Sequence, residues 1–186
     1  MSGNKAVFLD RDGVINQVCY HDEKGIYSAM NLEEFKVLPK VKEAIKSLKD
    51  HGFKTVVISN QPGVAFGYLK KREVEKIDKF LKKKLGIDAV YNCYHHPKIT
   101  GECTCRKPKG GMIKRAVKEL DIDLNRSFMV GDNLADIKAG EKCKKTFLIA
   151  KKKSVDLLNL IEDKGIYPTH IVKSLEEATK IILSNY

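Results

Sequence analysis

The chain has 186 residues, 42% of them hydrophobic, and a formal net charge of +11. That length suits one domain spanning 1–186, and the apolar content excludes wholesale disorder. No stretch approaches the roughly 20 apolar residues of a membrane-spanning helix. The start, Met1-Ser2-Gly3-Asn4-Lys5, lacks a secretory signal pattern, so a cytoplasmic protein without a membrane partner is expected.

In chain order, Ala6-Val7-Phe8-Leu9 is a short apolar run ending at Asp10 and reads as a first strand. The stretch from Arg11 to Leu38 is long for a strand-to-helix connection and reads as a functional loop or a small flap. Lys40 to His51 has helical spacing, with Val41, Ala44, Ile45 and Leu48 on one face, between Pro39 and Gly52. Phe53 to Ile58 is a β-branched strand, and Lys70 to Leu85 is a helix with the stripe Val74, Ile77, Phe80 and Leu81. Ala89-Val90-Tyr91 predicts a strand, Met112 to Leu120 a helix, Ser127 to Val130 a strand, and Leu134 to Ala139 a short helix closed by Gly140. Phe147-Leu148-Ile149 and His170-Ile171-Val172 predict strands, each followed by a helix, at Val155 to Ile161 and Leu175 to Leu183. This β-α alternation implies an α/β fold: a parallel sheet between two helical layers.

Ligands of such sheets sit outside the carboxyl ends of the strands. After the first strand comes Asp10-Arg11-Asp12-Gly13-Val14, two carboxylates two positions apart. After the second comes Ser59-Asn60-Gln61. After the third comes a cysteine cluster followed by Arg106-Lys107-Pro108, and after the fourth Gly131-Asp132-Asn133, with Asp136 beyond. Acids, a hydroxyl and cations thus converge on one sheet edge. A phosphate monoester calls for this set: a fixed nucleophile, neutralised phosphoryl oxygens and a proton for the leaving group. A carboxylate can attack phosphorus, and carboxylates bind Mg²⁺.

The segments Phe8-Leu9-Asp10-Arg11-Asp12-Gly13-Val14, Ser59-Asn60-Gln61, Arg106-Lys107-Pro108 and Gly131-Asp132-Asn133-Leu134-Ala135-Asp136 resemble, in order, the four motifs of the haloacid dehalogenase superfamily. The resemblance covers roughly residues 5 to 150. It implies a Rossmann-like three-layer fold and Mg²⁺-dependent hydrolysis through an aspartyl-phosphate. Asp10 would be the nucleophile and a Mg²⁺ ligand. Asp12 would be the general acid and then base, with its backbone carbonyl on the metal. Ser59 and Lys107 would hold the phosphoryl group. Asp132 would complete the metal site, with Asp136 a direct or supporting ligand. Asn60 either binds phosphate or braces its own loop.

Cys93, His95, Cys103 and Cys105 form Cys-x-His and Cys-x-Cys pairs seven residues apart, a closed tetrahedral set for structural Zn²⁺. His96 is the alternative imidazole, and Cys19 and Cys143 read as ordinary residues. The zinc loop, 93–105, runs directly into Arg106 and Lys107, so the metal would aim those cations without taking part in the chemistry. This loop resembles that of the D-glycero-D-manno-heptose 1,7-bisphosphate phosphatases and the related histidinol-phosphate phosphatases, which carry no large cap domain. The heptose family implies loss of a 7-phosphate and a recognition role for Arg106 on the sugar phosphate. This sequence departs from it at Ala65-Phe66-Gly67, where those enzymes carry Ala-Arg-Gly, and in the shortness of the zinc loop.

The positive charge points to an anionic partner. A basic nucleic-acid-binding module without catalysis is the competing reading. The lysine runs Lys82-Lys83-Lys84 and Lys151-Lys152-Lys153 read instead as solvated faces, with no aromatic platform among them. A small sugar phosphate, no nucleic acid and a monomeric enzyme are therefore expected.

Overall fold

A computed structural model describes residues 3–22, 25–150 and 155–184. The lysine run at 151–153 lies outside the described residues. In chain order the elements are β1 (Ala6–Leu9), β2 (Cys19–His21), β3 (Gly25–Tyr27), α1 (Val41–Asp50), β4 (Lys54–Asn60), α2 (Lys71–Leu85), β5 (Ala89–Cys93) and α3 (Pro97–Thr100). There follow α4 (Gly111–Leu120), β6 (Phe128–Gly131), α5 (Leu134–Ala139), β7 (Lys145–Ile149), α6 (Val155–Lys164), β8 (His170–Val172) and α7 (Leu175–Ser184).

Six strands form one parallel sheet in the order β5-β4-β1-β6-β7-β8. All four residues of β1 and of β6 are buried, as central parallel strands require. Alternation along the strands then divides two cores. Val7, Leu9, Val57, Phe128, Val130 and Phe147 face α1, α2 and α7, which contribute Ile45, Leu48, Ile77, Leu81 and Ile182. Ala6, Phe8, Val56, Ile58 and Met129 face the opposite layer, where α4 contributes Met112, Ile113 and Ala116. A smaller cluster of Leu134, Ile137, Leu148 and Ile161 seats α5 and α6. Each large apolar side chain so buried contributes about 1.5–3 kcal/mol.

Helix stripes explain why these segments dock as they do. The face read on α1 is buried residue for residue: Val41, Ala44, Ile45 and Leu48. On α2 the buried residues are Val74, Ile77, Leu81 and Leu85, while Phe80 is only partly buried. The three-layer arrangement expected from the β-α alternation is thus the one observed.

Two features were not read from the sequence. The long stretch after β1 contains an antiparallel hairpin, β2–β3, in register Cys19↔Tyr27 and Tyr20↔Ile26. The cysteine loop carries the one-turn helix α3. From β1 the chain moves outward through β4 to β5, then returns to β6 and runs outward the other way. That reversal leaves a crevice at the carboxyl ends of β1 and β6.

Candidate active site

Asp10 follows β1 directly, and its backbone N–H donates to Val130 O on β6 at 3.0 Å. It is thereby fixed at the crevice between the two halves of the sheet. Asp132 follows β6 from the other side. Gly13, at φ 85°, lets the loop after β1 pass Asp132: a Cβ there would lie 2.0 Å from Asp132 Oδ2. Gly131 has a related reason, since a Cβ on it would meet Asp136 Cβ at 2.1 Å.

Asp136 is oriented by the start of α5. Its Oδ2 accepts the Asn133 N–H at 3.0 Å, while Asn133 Oδ1 accepts from Ala135 N, closing a capping box. Its Oδ1 faces Lys107 Nζ at 2.6 Å. Lys107 Nζ also meets Asp10 Oδ1 at 2.7 Å and donates to Ile58 O at 2.9 Å. This ammonium is buried, and burial alone would lower its pKa. Asp10 and Asp136 outweigh that effect and raise it, so the charge is kept.

Asn60 clamps the same lysine. Its Oδ1 accepts the Lys107 N–H at 3.0 Å, and its Nδ2 donates to Lys107 O at 3.2 Å. Of the two readings left open by the sequence, this geometry displays bracing, but of the lysine loop rather than of its own; Asn60 also lines the cavity. Ser59 is buried at the end of β4, and its Oγ accepts from Gln61 Nε2 at 2.8 Å.

Asp12 sits in a web of donors. Arg11 reaches Asp12 Oδ2 through Nη2 at 3.0 Å and Nε at 3.3 Å. Asn16 Nδ2 donates to Oδ1 and Gln61 Nε2 to Oδ2, each at 2.9 Å. Burial pushes the Asp12 carboxyl up, but Arg11 and the donated hydrogen bonds of Asn16, Gln61 and Ser28 bring it below the usual range. Asp10 behaves oppositely. Burial, then the charge of Asp136, push it up to about 8 against the pull of Lys107. Asp132 rises to about 6 through burial and Asp136.

These raised values express a shortage of positive charge. Carboxylate oxygens of Asp10, Asp132 and Asp136 all lie within 4.8 Å of one another. A hard divalent cation fits such an oxygen set and relieves its repulsion. Around it opens a cavity of about 390 Å³ lined by Asp10, Asp12, Arg106, Lys107 and Asp132 on the sheet side. Ile26 and Tyr27 of the hairpin, with Val18 and Ser28 beside it, line the cavity as well. The sequence reading did not single out Arg11, Asn16 or these hairpin residues for the site. Gln61 was visible as a polar residue after a strand, but its reach back to Asp12 was not.

The cysteine loop is equally well gathered. Cys93 Sγ lies 3.7 Å from Cys103 Sγ, 3.2 Å from Cys105 Sγ and 3.7 Å from His95 Nδ1. His95 Nδ1 and Cys105 Sγ are 3.3 Å apart. A tetrahedron with Zn–S bonds of roughly 2.3 Å has edges of about 3.8 Å, so the donor set fits zinc with little contraction or expansion. Burial, with the adjoining Cys105, pushes the Cys93 thiol up to about 12, a cost that a bound cation removes. His96 plays a different part: its side chain accepts from Lys98 N as the cap of α3, and its ring packs 4.6 Å from Phe66. Arg106 is tied to the loop by its N–H to Cys103 Sγ at 3.4 Å and its Nη1 to His95 O at 3.3 Å.

The haloacid dehalogenase-like hydrolase family model matches residues 4–144. The chain belongs to this family. Within it, the chain is 34% identical over 189 residues to the D-glycero-beta-D-manno-heptose-1,7-bisphosphate 7-phosphatase of Pasteurella multocida, covering 96% of each protein. It is 38% identical over 149 residues to the enzyme of the same name from Haemophilus ducreyi, covering 75% of this chain and 78% of that one. Among solved structures, D,D-heptose 1,7-bisphosphate phosphatase from B. bronchiseptica, complexed with magnesium and phosphate, superposes with a TM-score of 0.80. That match has 26% identity and covers 98% of this chain and 99% of that one. This haloacid dehalogenase-like hydrolase is a phosphoric monoester hydrolase. No helix among its described residues is long and apolar enough to cross a membrane.

Proposed function

We propose that this phosphatase removes the 7-phosphate of D-glycero-D-manno-heptose 1,7-bisphosphate, leaving the 1-phosphate in place. The observation that carries the chemistry is the convergence of Asp10, Asp132 and Asp136 on one side of the cavity, with Lys107 bonded to two of them. The substrate assignment rests on the heptose bisphosphate phosphatases that the chain resembles along most of its length.

On this reading Asp10, Asp132 and the Asp12 backbone carbonyl hold Mg²⁺. Asp136 supports the ion, since its two oxygens already engage Asn133 N and Lys107. The ion supplies positive charge to the phosphoryl oxygens and to the crowded carboxylates. Asp10 attacks phosphorus; the bond to the sugar oxygen breaks; Asp12 gives that oxygen its proton. Asp12, now a carboxylate, takes a proton from water, which attacks the aspartyl-phosphate and frees Asp10 and inorganic phosphate. In the resting site the donors around Asp12 favour the carboxylate that the second step needs. An arriving phosphate dianion raises its proton affinity for the first. Lys107 and Ser59 hold the phosphoryl group, and Asn60 fixes Lys107. Arg106, tied to the zinc loop of Cys93, His95, Cys103 and Cys105, reaches the far end of the sugar phosphate. We read the enzyme as a cytoplasmic monomer acting on a small molecule rather than on nucleic acid, with residues 1–186 forming one domain.

The test is phosphate release from both anomers of the heptose bisphosphate, histidinol phosphate, hexose phosphates and a 3′-phosphorylated oligonucleotide, with and without Mg²⁺. Mg²⁺-dependent preference for a heptose bisphosphate is expected. Preference for histidinol phosphate would transfer the substrate assignment to the sister family. Salt-sensitive binding of the oligonucleotide without turnover of any ester would overturn the enzymatic reading.

A further inference from the structure

Asp12 is held from two directions. Arg11, Asn16 and Ser28 belong to its own stretch between β1 and α1. Gln61 comes from 49 positions away, just past the end of β4. Among the described residues no other donor to Asp12 comes from beyond its own stretch. The Gln61 Nε2 donates to Asp12 Oδ2 at 2.9 Å and to Ser59 Oγ at 2.8 Å. One nitrogen, with its two hydrogens, therefore joins the two side chains.

The backbone prepares this link. Ser59 and Gln61 stand two positions apart, and the strand period of two turns them to one face. The Gln61 N–H donates to Cys93 O at 2.7 Å, which anchors the residue to the end of β5. Pro62 then opens a single turn of 3-10 helix directly after it.

Gln61 is fully buried. Its Oε1 is buried as well and has no hydrogen-bond partner among the described residues. Turning the amide over would set that oxygen against a carboxylate, which only accepts, so the nitrogen is kept toward Asp12. A side chain that merely filled this space would do better as leucine or methionine, with no buried carbonyl left unpaired. The amide is thus matched to its two partners rather than to the packing around it. It also sets the role of the hydroxyl: Ser59 Oγ accepts from Gln61, which leaves its own proton for a phosphoryl oxygen.

We propose that Gln61 is a positioning residue: its amide nitrogen keys the Asp12 carboxyl to the Ser59 hydroxyl, so that proton donor and phosphoryl holder keep one spacing. This rests on the roles read above for Asp12 and Ser59. Gln61 acts through these two side chains and not on substrate or metal.

The experiment compares leaving groups. The heptose alkoxide needs a proton to leave, whereas 4-nitrophenolate leaves without one. The comparison uses kcat/KM, which covers the steps up to departure of the leaving group and so excludes the later use of Asp12 as a base. For Gln61→Met, kcat/KM falls about thirtyfold on the heptose bisphosphate and about threefold on 4-nitrophenyl phosphate, since both esters lose the steadied Ser59 and only the first draws on a general acid. In a Ser59→Ala background, Gln61→Met no longer affects 4-nitrophenyl phosphate, while a difference of about tenfold between the esters remains. Gln61→Asn keeps an amide one methylene shorter and gives the same pattern at smaller size; it serves if Gln61→Met does not fold. Equal losses on both esters would mean a structural role and overturn the proposal, as would no loss on either. A 4-nitrophenyl phosphate loss that adds in full to that of Ser59→Ala would overturn it too. Asp12→Asn on the same two esters is the control. If Asp12→Asn shows no split, the proton-donor reading fails and takes the proposal with it. If Asp12→Asn shows the split and the Gln61 variants do not, the role of Gln61 alone is refuted.

Discussion

Asn60→Ala isolates the clamp on Lys107. The substitution removes two hydrogen bonds to the Lys107 backbone, at 3.0 and 3.2 Å, and leaves a buried-side N–H without its acceptor. Each bond contributes about 1 kcal/mol and the orphaned group costs about 1 more, so the fold should lose roughly 3 kcal/mol. For a chain of this size that is a melting point lower by about 9 °C. Activity should fall for a separate reason. Lys107 Nζ holds Asp10 at 2.7 Å and Asp136 at 2.6 Å, and a shift of its backbone withdraws the ammonium from the phosphoryl group. Losing one charge-assisted bond of about 1.5–3 kcal/mol lowers kcat/KM roughly tenfold to a hundredfold. Thermal melts and steady-state kinetics with Mg²⁺ measure both effects. An Asn60→Ala enzyme that melts within about 1 °C of the parent and turns over at the parent rate would refute the clamp.

Asp10→Asn should abolish turnover while zinc content stays unchanged, as read by phosphate release and metal analysis. It should also stabilise the metal-free protein near pH 8. Asp10 and Asp132 titrate at about 8 and about 6 in the fold against an ordinary value of 3.8. Their folded pKa values are raised, so the unfolded chain loses protons first, and metal-free stability falls as pH rises from about 4 to about 8. Mg²⁺ should offset that fall, giving a larger melting-point gain at pH 8 than at pH 5; an equal gain at both would contradict the charge-shortage account. Stripping zinc, or Cys105→Ser, should lower activity in a way that Zn²⁺ restores to the stripped enzyme and Mg²⁺ does not. Arg106→Ala should raise KM for the bisphosphate about tenfold and leave a short alkyl monophosphate almost unaffected, in keeping with a lost charge-assisted contact far from phosphorus; comparable losses on both would remove Arg106 from substrate recognition.

The sheet was legible because parallel strands buried on both faces read as apolar runs, and the helices because their stripes repeat at helical spacing. Asp10 and Asp132 could be found because each follows a strand, where topology gathers ligand-binding groups, and Lys107 because it stands directly after the cysteine loop that leaves β5. The hairpin could not. Cys19–His21 and Gly25–Tyr27 are three residues each, too short to display a period of two. The partners of Asp12 were hidden for another reason. Gln61 and Asn16 meet it from 49 and 4 positions away, and only the folded loop shows which amide turns inward. Arg11 carries no signal of its own in the sequence beyond its place between two acids; in the fold it is among the largest fully buried side chains.

The central place of β1 has a consequence for how the protein is made. Leu9 aligns with Val57 on one side and Val130 on the other, and the second neighbour is synthesised long after the first. Until β6 docks, Asp10 faces neither Asp132 nor Asp136. The chain on the ribosome therefore carries Asp10, the nucleophile proposed above, for most of its synthesis without the two carboxylates that face it in the fold. On the proposed mechanism, a stalled or truncated product ending before β6 can neither collect the divalent ion nor attack the phosphate esters around it, and activity begins only when the two halves of the sheet have met.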